Sequence, residues 1–294
     1  MKVLILGKDN IVQGSNNTRL RYNFIGGGVK LGQGVGTAGD QWCLVNAQLY
    51  NSWFNYDAQV YNNTIFTYTW IDGSVNTVNI PNSNLNVDDL NAYFRSVMVA
   101  NNHYLLTSSG QQVFYLELEL NASRYAIQFN AFLVPTSAQA TTLGYTQPVG
   151  ATWSFPVSSV TPQITILSTN SFGSTIGFNA GTYPTSPSGS NYSKLSDTAP
   201  QVSPVSSVIM TLNLVSNDIA SPDNLLYAFT TGETAFGQII PIQPPEFSWI
   251  DSKEGYFTSL EVGFVDQNLN PMRIQDPQMT IILGLRRRSE IMSK

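Results

Sequence analysis

Apolar and polar side chains alternate with a period of two over much of this chain, and Gly, Pro, Asn or Asp interrupts the alternation every few residues. No other feature narrows the possible folds so far, because it is the pattern of short strands joined by tight turns. Phe114, Leu116, Leu118 and Leu120 alternate with Tyr115, Glu117 and Glu119. Successive side chains of a strand point to opposite faces, so this segment carries an apolar row on one side and carboxylates on the other. Ile65, Phe66, Tyr68, Trp70 and Ile71 nearly alternate with Thr, and Asp72-Gly73 separates them from Val75 to Ile80. An Asp-Gly step between apolar runs predicts a hairpin, since Gly accepts the positive φ that tight hairpin turns demand. Further strands are expected at 19–24, 42–49, 104–107, 125–134, 207–215, 225–229, 237–242, 256–265 and 279–285.

The period changes in one place. Leu90, Phe94 and Val97 recur at helical spacing within 87–98, Asn86 or Asp88 can cap the segment, and Asp88 and Asp89 suit its positive first turn. Many strands with a single helix between them exclude a β-α-β sheet. The expectation is an all-β fold, a single jelly-roll barrel or sandwich with an inserted β-rich region and one short helix. Between Pro135 and Pro204 the chain is rich in Ser, Thr, Gly and Pro, and only Lys194 and Asp197 are charged. Connections that long exceed those of a compact domain. The expected division is therefore a jelly roll from residues 1–110 and 200–294, with 111–199 as an inserted, outward-projecting β-rich region.

Charged residues make up 11% of the chain, against roughly 25% in an average soluble domain, so neutral polar groups must wet the surface. A net charge of −5 excludes a dedicated nucleic-acid binder. The cations are unevenly placed: Lys2, Lys8, Arg19, Arg21 and Lys30 lie near the start, and Arg286, Arg287, Arg288 and Lys294 near the end. The lone Cys43 forms no intrachain disulfide, which is compatible with a reducing compartment. The Val3-Leu4-Ile5-Leu6 run is too short for a signal-peptide core or a membrane span.

Candidate chemistry is sparse. The glycines from Gly26 to Gly39 are not followed by Gly-Lys-Ser or Gly-Lys-Thr, so they read as a flexible loop and not as a phosphate cradle. His103 is the only histidine, no Gly-x-Ser-x-Gly elbow accompanies it, and a zinc site built from several His and Cys is impossible. Cys43 lies between Trp42 and Leu44 as a small apolar residue. Glu117 and Glu119 share a strand face, which a carboxylate pair could use but which alternation with Leu explains as a solvated face. Asp88 and Asp89 are accounted for by the helix start, and the 266–276 segment lacks calcium-loop spacing. The chain is thus expected to carry no catalytic residue, cofactor or metal.

Several phrases, in order along the chain, resemble a known family. They are Tyr50-Asn51-Ser52-Trp53-Phe54-Asn55, Ile80-Pro81 followed by Val87-Asp88-Asp89-Leu90-Asn91-Ala92-Tyr93-Phe94, and Pro200-Gln201-Val202-Ser203-Pro204-Val205-Ser206-Ser207. Ile176-Gly177-Phe178 with Gly181-Thr182-Tyr183-Pro184, Phe264-Val265-Asp266-Gln267, and Asp276-Pro277-Gln278-Met279-Thr280-Ile281 add to them. Together they resemble the penton-type minor capsid proteins of virophages and Polinton-like (Maverick) viruses. The resemblance implies a structural virion protein, made in the host cytoplasm, whose single jelly roll forms homopentamers at the fivefold vertices of an icosahedral capsid. It also implies a separate double jelly-roll major capsid protein as neighbour and an extra domain projecting outward.

In that setting Arg19, Arg21, Arg286, Arg287 and Arg288 are candidate inner-face contacts to packaged DNA, without sequence preference. Trp53, Phe54 and Tyr56 are candidate subunit-interface residues, or else fill the core. The alternative function is a carbohydrate-binding or host-attachment β-sandwich, which requires an exposed aromatic cluster in a concave site.

Overall fold

The structure is a computed structural model that describes residues 1–32 and 39–287. The first four strands are β1 (Lys2–Gly7), β2 (Arg19–Asn23), β3 (Val29–Leu31) and β4 (Asp40–Tyr50). Next come the hairpin strands β5 (Ile65–Thr69) and β6 (Val75–Asn79), helix α1 (Val87–Ala100), and strands β7 (Leu105–Leu106), β8 (Gln112–Val113), β9 (Leu116–Asn121) and β10 (Ala126–Ala131). Helix α2 (Ser137–Leu143), β11 (Gln163–Ile166), helix α3 (Phe172–Ile176), β12 (Gly181–Tyr183) and β13 (Tyr192–Leu195) follow. The last group is β14 (Val208–Leu212), β15 (Leu225–Phe229), β16 (Ile239–Ile242), β17 (Ile250–Asp251), β18 (Gly255–Phe257), β19 (Ser259–Asp266) and β20 (Thr280–Arg287).

Contacts divide the chain into two units, residues 1–53 with 205–294, and residues 54–204. Residues 54–110, expected with the barrel, therefore fall in the inserted unit. The reason is pairing and packing: β5 joins β11 through Thr69 opposite Gln163, and Phe66, Leu90 and Phe94 share a core with Leu116, Phe129 and Ile164.

The first unit is a jelly roll by its strand order. One sheet runs β1-β20-β4-β16, with β17 also on β4, and the other runs β15-β14-β19-β2. Counted along the chain, these eight main strands pair first with eighth, second with seventh, third with sixth and fourth with fifth. Every ladder among them is antiparallel. Two interleaved Greek keys in two facing sheets make a jelly roll, here an open sandwich. The inserted unit leaves between the third strand, β4, and the fourth, β14. Lys2 pairs with Leu285 and Asp40 with Arg287, so the start of β1, the end of β20 and the start of β4 lie at one end of the barrel. Strand β4 runs away from that end and finishes at Tyr50.

The barrel core comes from alternation. In β19 the residues Leu260, Val262, Phe264 and Asp266 are buried while the residues between them are half-exposed. In β4 the alternation slips: Trp42, Leu44, Ala47 and Leu49 all reach the core, because Ile282 pairs with Asn46 but Leu283 with Leu44. Val45 is the extra residue of a bulge, which turns the strand by one position and restores the inward row.

The inserted unit stacks a β12-β11-β5-β6 sheet and a β13-β10-β9 sheet around a second core. The sequence expectation for α1 holds: Asp89 N–H donates to Asn86 Oδ1 at 2.8 Å, and Leu90, Phe94 and Met98 are buried. The expected Asp72-Gly73 hairpin is present as β5 and β6, with Gly73 at φ 84°. Two short helices were not expected. Helix α2 is opened by a capping box, in which Thr136 N–H donates to Gln139 Oε1 at 2.9 Å, and closed by Gly144 at φ 71°; α3 ends at Gly177, φ 79°. Both end signals stand in the sequence, but the segments between them are too short and too rich in Ser and Thr to show a helical apolar stripe.

Candidate assembly interface

Alternation in β1 puts Leu4 and Leu6 toward the core and Val3 and Ile5 outward, where they are 53% and 62% exposed. A half-exposed antiparallel sheet ordinarily carries polar residues on its outer face. Here the apolar row continues. Ile5 stands opposite Ile282 on β20, and a side chain at Gly284 would meet Cys43 Sγ at 2.8 Å, Met1 Sδ at 3.1 Å and Val45 Cγ2 at 3.2 Å. Those atoms therefore lie flat over the Gly284 backbone. On the far strand β16, Ile239 is 47% exposed, and exposed Phe247 flanks a groove of about 350 Å³ lined also by Val45 and Asn46.

The other barrel sheet presents a different outer face. Arg19 Nε donates to Glu261 Oε1 at 2.6 Å and Arg21 Nη2 to Glu261 Oε2 at 2.9 Å, alongside Asn23 and Thr211. The two guanidinium donors hold the Glu261 carboxyl below the usual carboxylate range.

The sequence candidates distribute as follows. Arg19 and Arg21 share Glu261 on one sheet. Arg286 Nε and Nη2 donate to Gln41 Oε1 at 3.0 and 2.9 Å on the other, with its guanidinium 4.1 Å from the Trp249 ring centroid. Arg287 lies 3.4 Å from Asp40 and is largely exposed, and Arg288 lies outside the described residues. These cations do not form one patch. The aromatic trio is not a surface either. Trp53 is buried in the barrel core and Tyr56 in the core of the inserted unit, and only Phe54 is half-exposed. The outward Met1, Val3, Ile5 and Ile282 were missed, although the unbroken Val3-Leu4-Ile5-Leu6 run was visible. A strand apolar at both parities is one that has something to cover on both faces.

The remaining chemical candidates are occupied structurally. His103 is buried, its ring stacked 4.8 Å from Trp70 at 10°, with Nδ1 2.8 Å from Tyr68 Oη. Asn101 Nδ2 donates to that hydroxyl at 3.0 Å, which leaves the Tyr68 proton free to be donated to Nδ1, and burial lowers the imidazole pKa. The Tyr68 hydroxyl itself is pushed up to about 12 by burial. Cys43, also buried, has its thiol pKa raised by the same cause. Glu117 is bound to Arg95 at 2.6 Å and Glu119 accepts from Asn130 Nδ2 at 3.2 Å. A groove of about 810 Å³ beside α1 is lined by Asn91, Arg95, Phe114 and Glu117, but the Arg95 guanidinium sits 5.4 Å over the Phe114 ring, the face a sugar would stack on. Among the described residues, no group of three or more His, Cys, Asp or Glu could hold a metal ion.

No protein-family model matches the chain. No curated protein matches it either. Among solved structures it is similar to one described as the crystal structure of selenomethionine-labelled mavirus penton protein, at 9% sequence identity and a TM-score of 0.41, covering 98% of each chain.

Proposed function

We propose that this chain is a structural virion protein, a penton-type subunit that forms homopentamers at the fivefold vertices of an icosahedral capsid beside a double jelly-roll major capsid protein. The observation that carries this reading is a jelly roll whose β1-β20-β4-β16 sheet turns Val3, Ile5, Val45, Ile282 and Ile239 outward, among the polar Gln48, Thr280 and Arg286, set against an ion-paired face on its other sheet. Exposed apolar area of that kind is stabilised by burial against a neighbouring protein. A closed ring requires heterologous contacts, in which one flank of each subunit meets a different flank of the next, and two unlike sheet faces supply unlike flanks. The ordered resemblance of phrases from Tyr50 to Ile281 supports the same family. A subunit of this kind needs no catalytic group.

The end of the barrel where β1 starts and β20 finishes presents Lys2, Arg286 and Arg287, with Asp40 and Asp251 as the close counter-charges. We assign that end to the capsid interior, where its net positive charge contacts packaged DNA without sequence preference.

Light scattering on the full chain over a range of concentration and salt tests the proposal. A particle of five times 32.3 kDa is the expected result. A strict monomer under every condition would sink it.

A further inference from the structure

We propose that His103 is an acid-operated latch within the inserted unit: when its imidazole takes up a proton, the Trp70–Trp153 cluster is released from the end of α1 and residues 147–155 open toward solvent. Three features of the site carry this, and none depends on assembly.

The first is position. His103 follows the last turn of α1, where its N–H donates to Met98 O at 2.8 Å. Its buried ring joins the two cores of the inserted unit: it stacks on Trp70 of the small Trp70, Leu105, Tyr115, Val134 and Trp153 cluster, and it meets Tyr68 of the main core edge-on at 5.6 Å. Trp153 closes the same joint. Its ring lies 5.3 Å from Trp70, and its Nε1 donates at 2.7 Å to the carbonyl of Asn102, the residue before the histidine. Gln147 Nε2 donates to Trp153 O at 2.7 Å, and Phe155 packs on the cluster. Residues 147–155 are thus held to the end of α1 through His103 and Asn102.

The second is the bond pattern. With Nδ1 unprotonated, the Tyr68 hydroxyl accepts from Asn101 Nδ2 and has the ring nitrogen as acceptor for its own hydrogen. A proton on Nδ1 turns that nitrogen into a donor. The hydroxyl then accepts twice, and its hydrogen is left buried without an acceptor, which is costly. The cluster has little polar bonding in reserve, since Trp70 Nε1 and Tyr115 Oη are buried with no hydrogen-bond partner among the described residues.

The third is the balance of charge. The carboxylate that acts on the imidazole is Asp72, on the exposed β5–β6 turn, where it accepts from Ser74 N–H at 2.9 Å. Asp72 favours the proton, and the Trp70 face attracts a cation, but burial opposes both and holds the imidazole below its ordinary 6.5. The Tyr68 and Tyr115 hydroxyls, pushed up by burial, stay neutral, and Asn101 and Asn102 do not titrate. The sign follows. Below about 6.5 an opened unit takes up a proton that the closed one refuses, so stability is fully present above that pH and is lost as pH falls toward the lower closed-state value. His103 is the only histidine, and no other side chain ordinarily titrates in that window.

The test is hydrogen exchange by mass spectrometry on the full chain at about pH 7.5 and about pH 5.5, corrected for the intrinsic rate of exchange. Amides of residues 101–106 and 147–155 should exchange faster at the lower pH, by up to roughly tenfold one unit below 6.5, while β14 and β19 of the barrel keep their protection. His103→Gln offers an amide oxygen in place of Nδ1 and takes up no proton, so its protection should be the same at both pH values. If that variant fails to fold, Asp72→Asn gives a second comparison: it keeps an oxygen for Ser74 N–H but removes the charge that tolerates a protonated ring, and should deepen the acid loss without altering protection at about pH 7.5. The proposal is overturned if the parent is equally protected at both pH values, if protection falls alike across the barrel, if His103→Gln loses protection in acid as the parent does, or if Asp72→Asn leaves the acid loss unchanged. Solution mass measured on the same samples reads the assembly proposal independently.

Discussion

On the β1-β20-β4-β16 sheet the side chains that point away from the core include Val3, Ile5, Val45 and Ile282, with Gln48, Thr280 and Arg286 among them; on the β15-β14-β19-β2 sheet they include Arg19, Arg21, Asn23, Thr211 and Glu261, with Ile209 and Val265 half-buried among them. The inner faces show no such contrast. Leu6, Leu44, Ile281 and Leu283 of the first sheet meet Leu20, Met210, Val262 and Phe264 of the second in one apolar core. Two sheets of equal standing in the fold are therefore unequal toward the outside. The inner faces answer to folding alone, whereas an outer face is free to vary with what it meets.

The sharpest way to test the equality of the inner faces is to damage each in turn. Phe264→Ala should cost about 3–5 kcal/mol and Leu283→Ala about 2–5 kcal/mol, since both side chains are almost wholly buried. Urea midpoints of the barrel transition check this, and a cost confined to one sheet would show that the other contributes little to the core.

The outer faces should respond oppositely. Val3→Glu with Ile5→Glu is expected to reduce the proposed pentamer to monomers in light scattering while changing subunit stability by no more than about 0.5 kcal/mol per site. An assembly that survives both carboxylates would place the contact elsewhere. The smallest effect belongs to the ion-paired face. Because Arg19 and Arg21 depress the Glu261 carboxyl, the bridge's contribution is fully present above the unfolded value of about 4.3 and is lost as pH falls through the lower folded value. Glu261→Gln should remove that stretch of pH dependence and cost about 0.2–1 kcal/mol near neutrality. The loss should shrink at high salt. Melting curves between pH 2 and 7 decide it; an unchanged profile would mean the triad is only a surface contact.

The strands, the Asp72-Gly73 hairpin and the cap of α1 were legible because each rests on residues within a few positions of one another. Helices α2 and α3 escaped notice because short helices are defined by their ends, and Thr136, Gly144 and Gly177 carry no apolar stripe between them. The insertion was visible as a change of composition, but its start was placed too late. Nothing local marks the step from Trp53 to Phe54; it is set by which core each aromatic ring enters. Of the two readings open for Trp53 and Tyr56, interface or core, burial selects the core, and only the fold says that such large apolar residues are covered.

Sequence alone determined that this protein is built of short antiparallel strands with one long helix, because alternation, turn residues and caps act over a few residues and need no distant partner. Tertiary structure alone decided that the first strand pairs with the last, that Val45 bulges out of β4, and that Val3 and Ile5 are left on a surface. Those outcomes depend on contacts between residues far apart in the chain, and alternation sorts side chains into two faces without saying which face meets water.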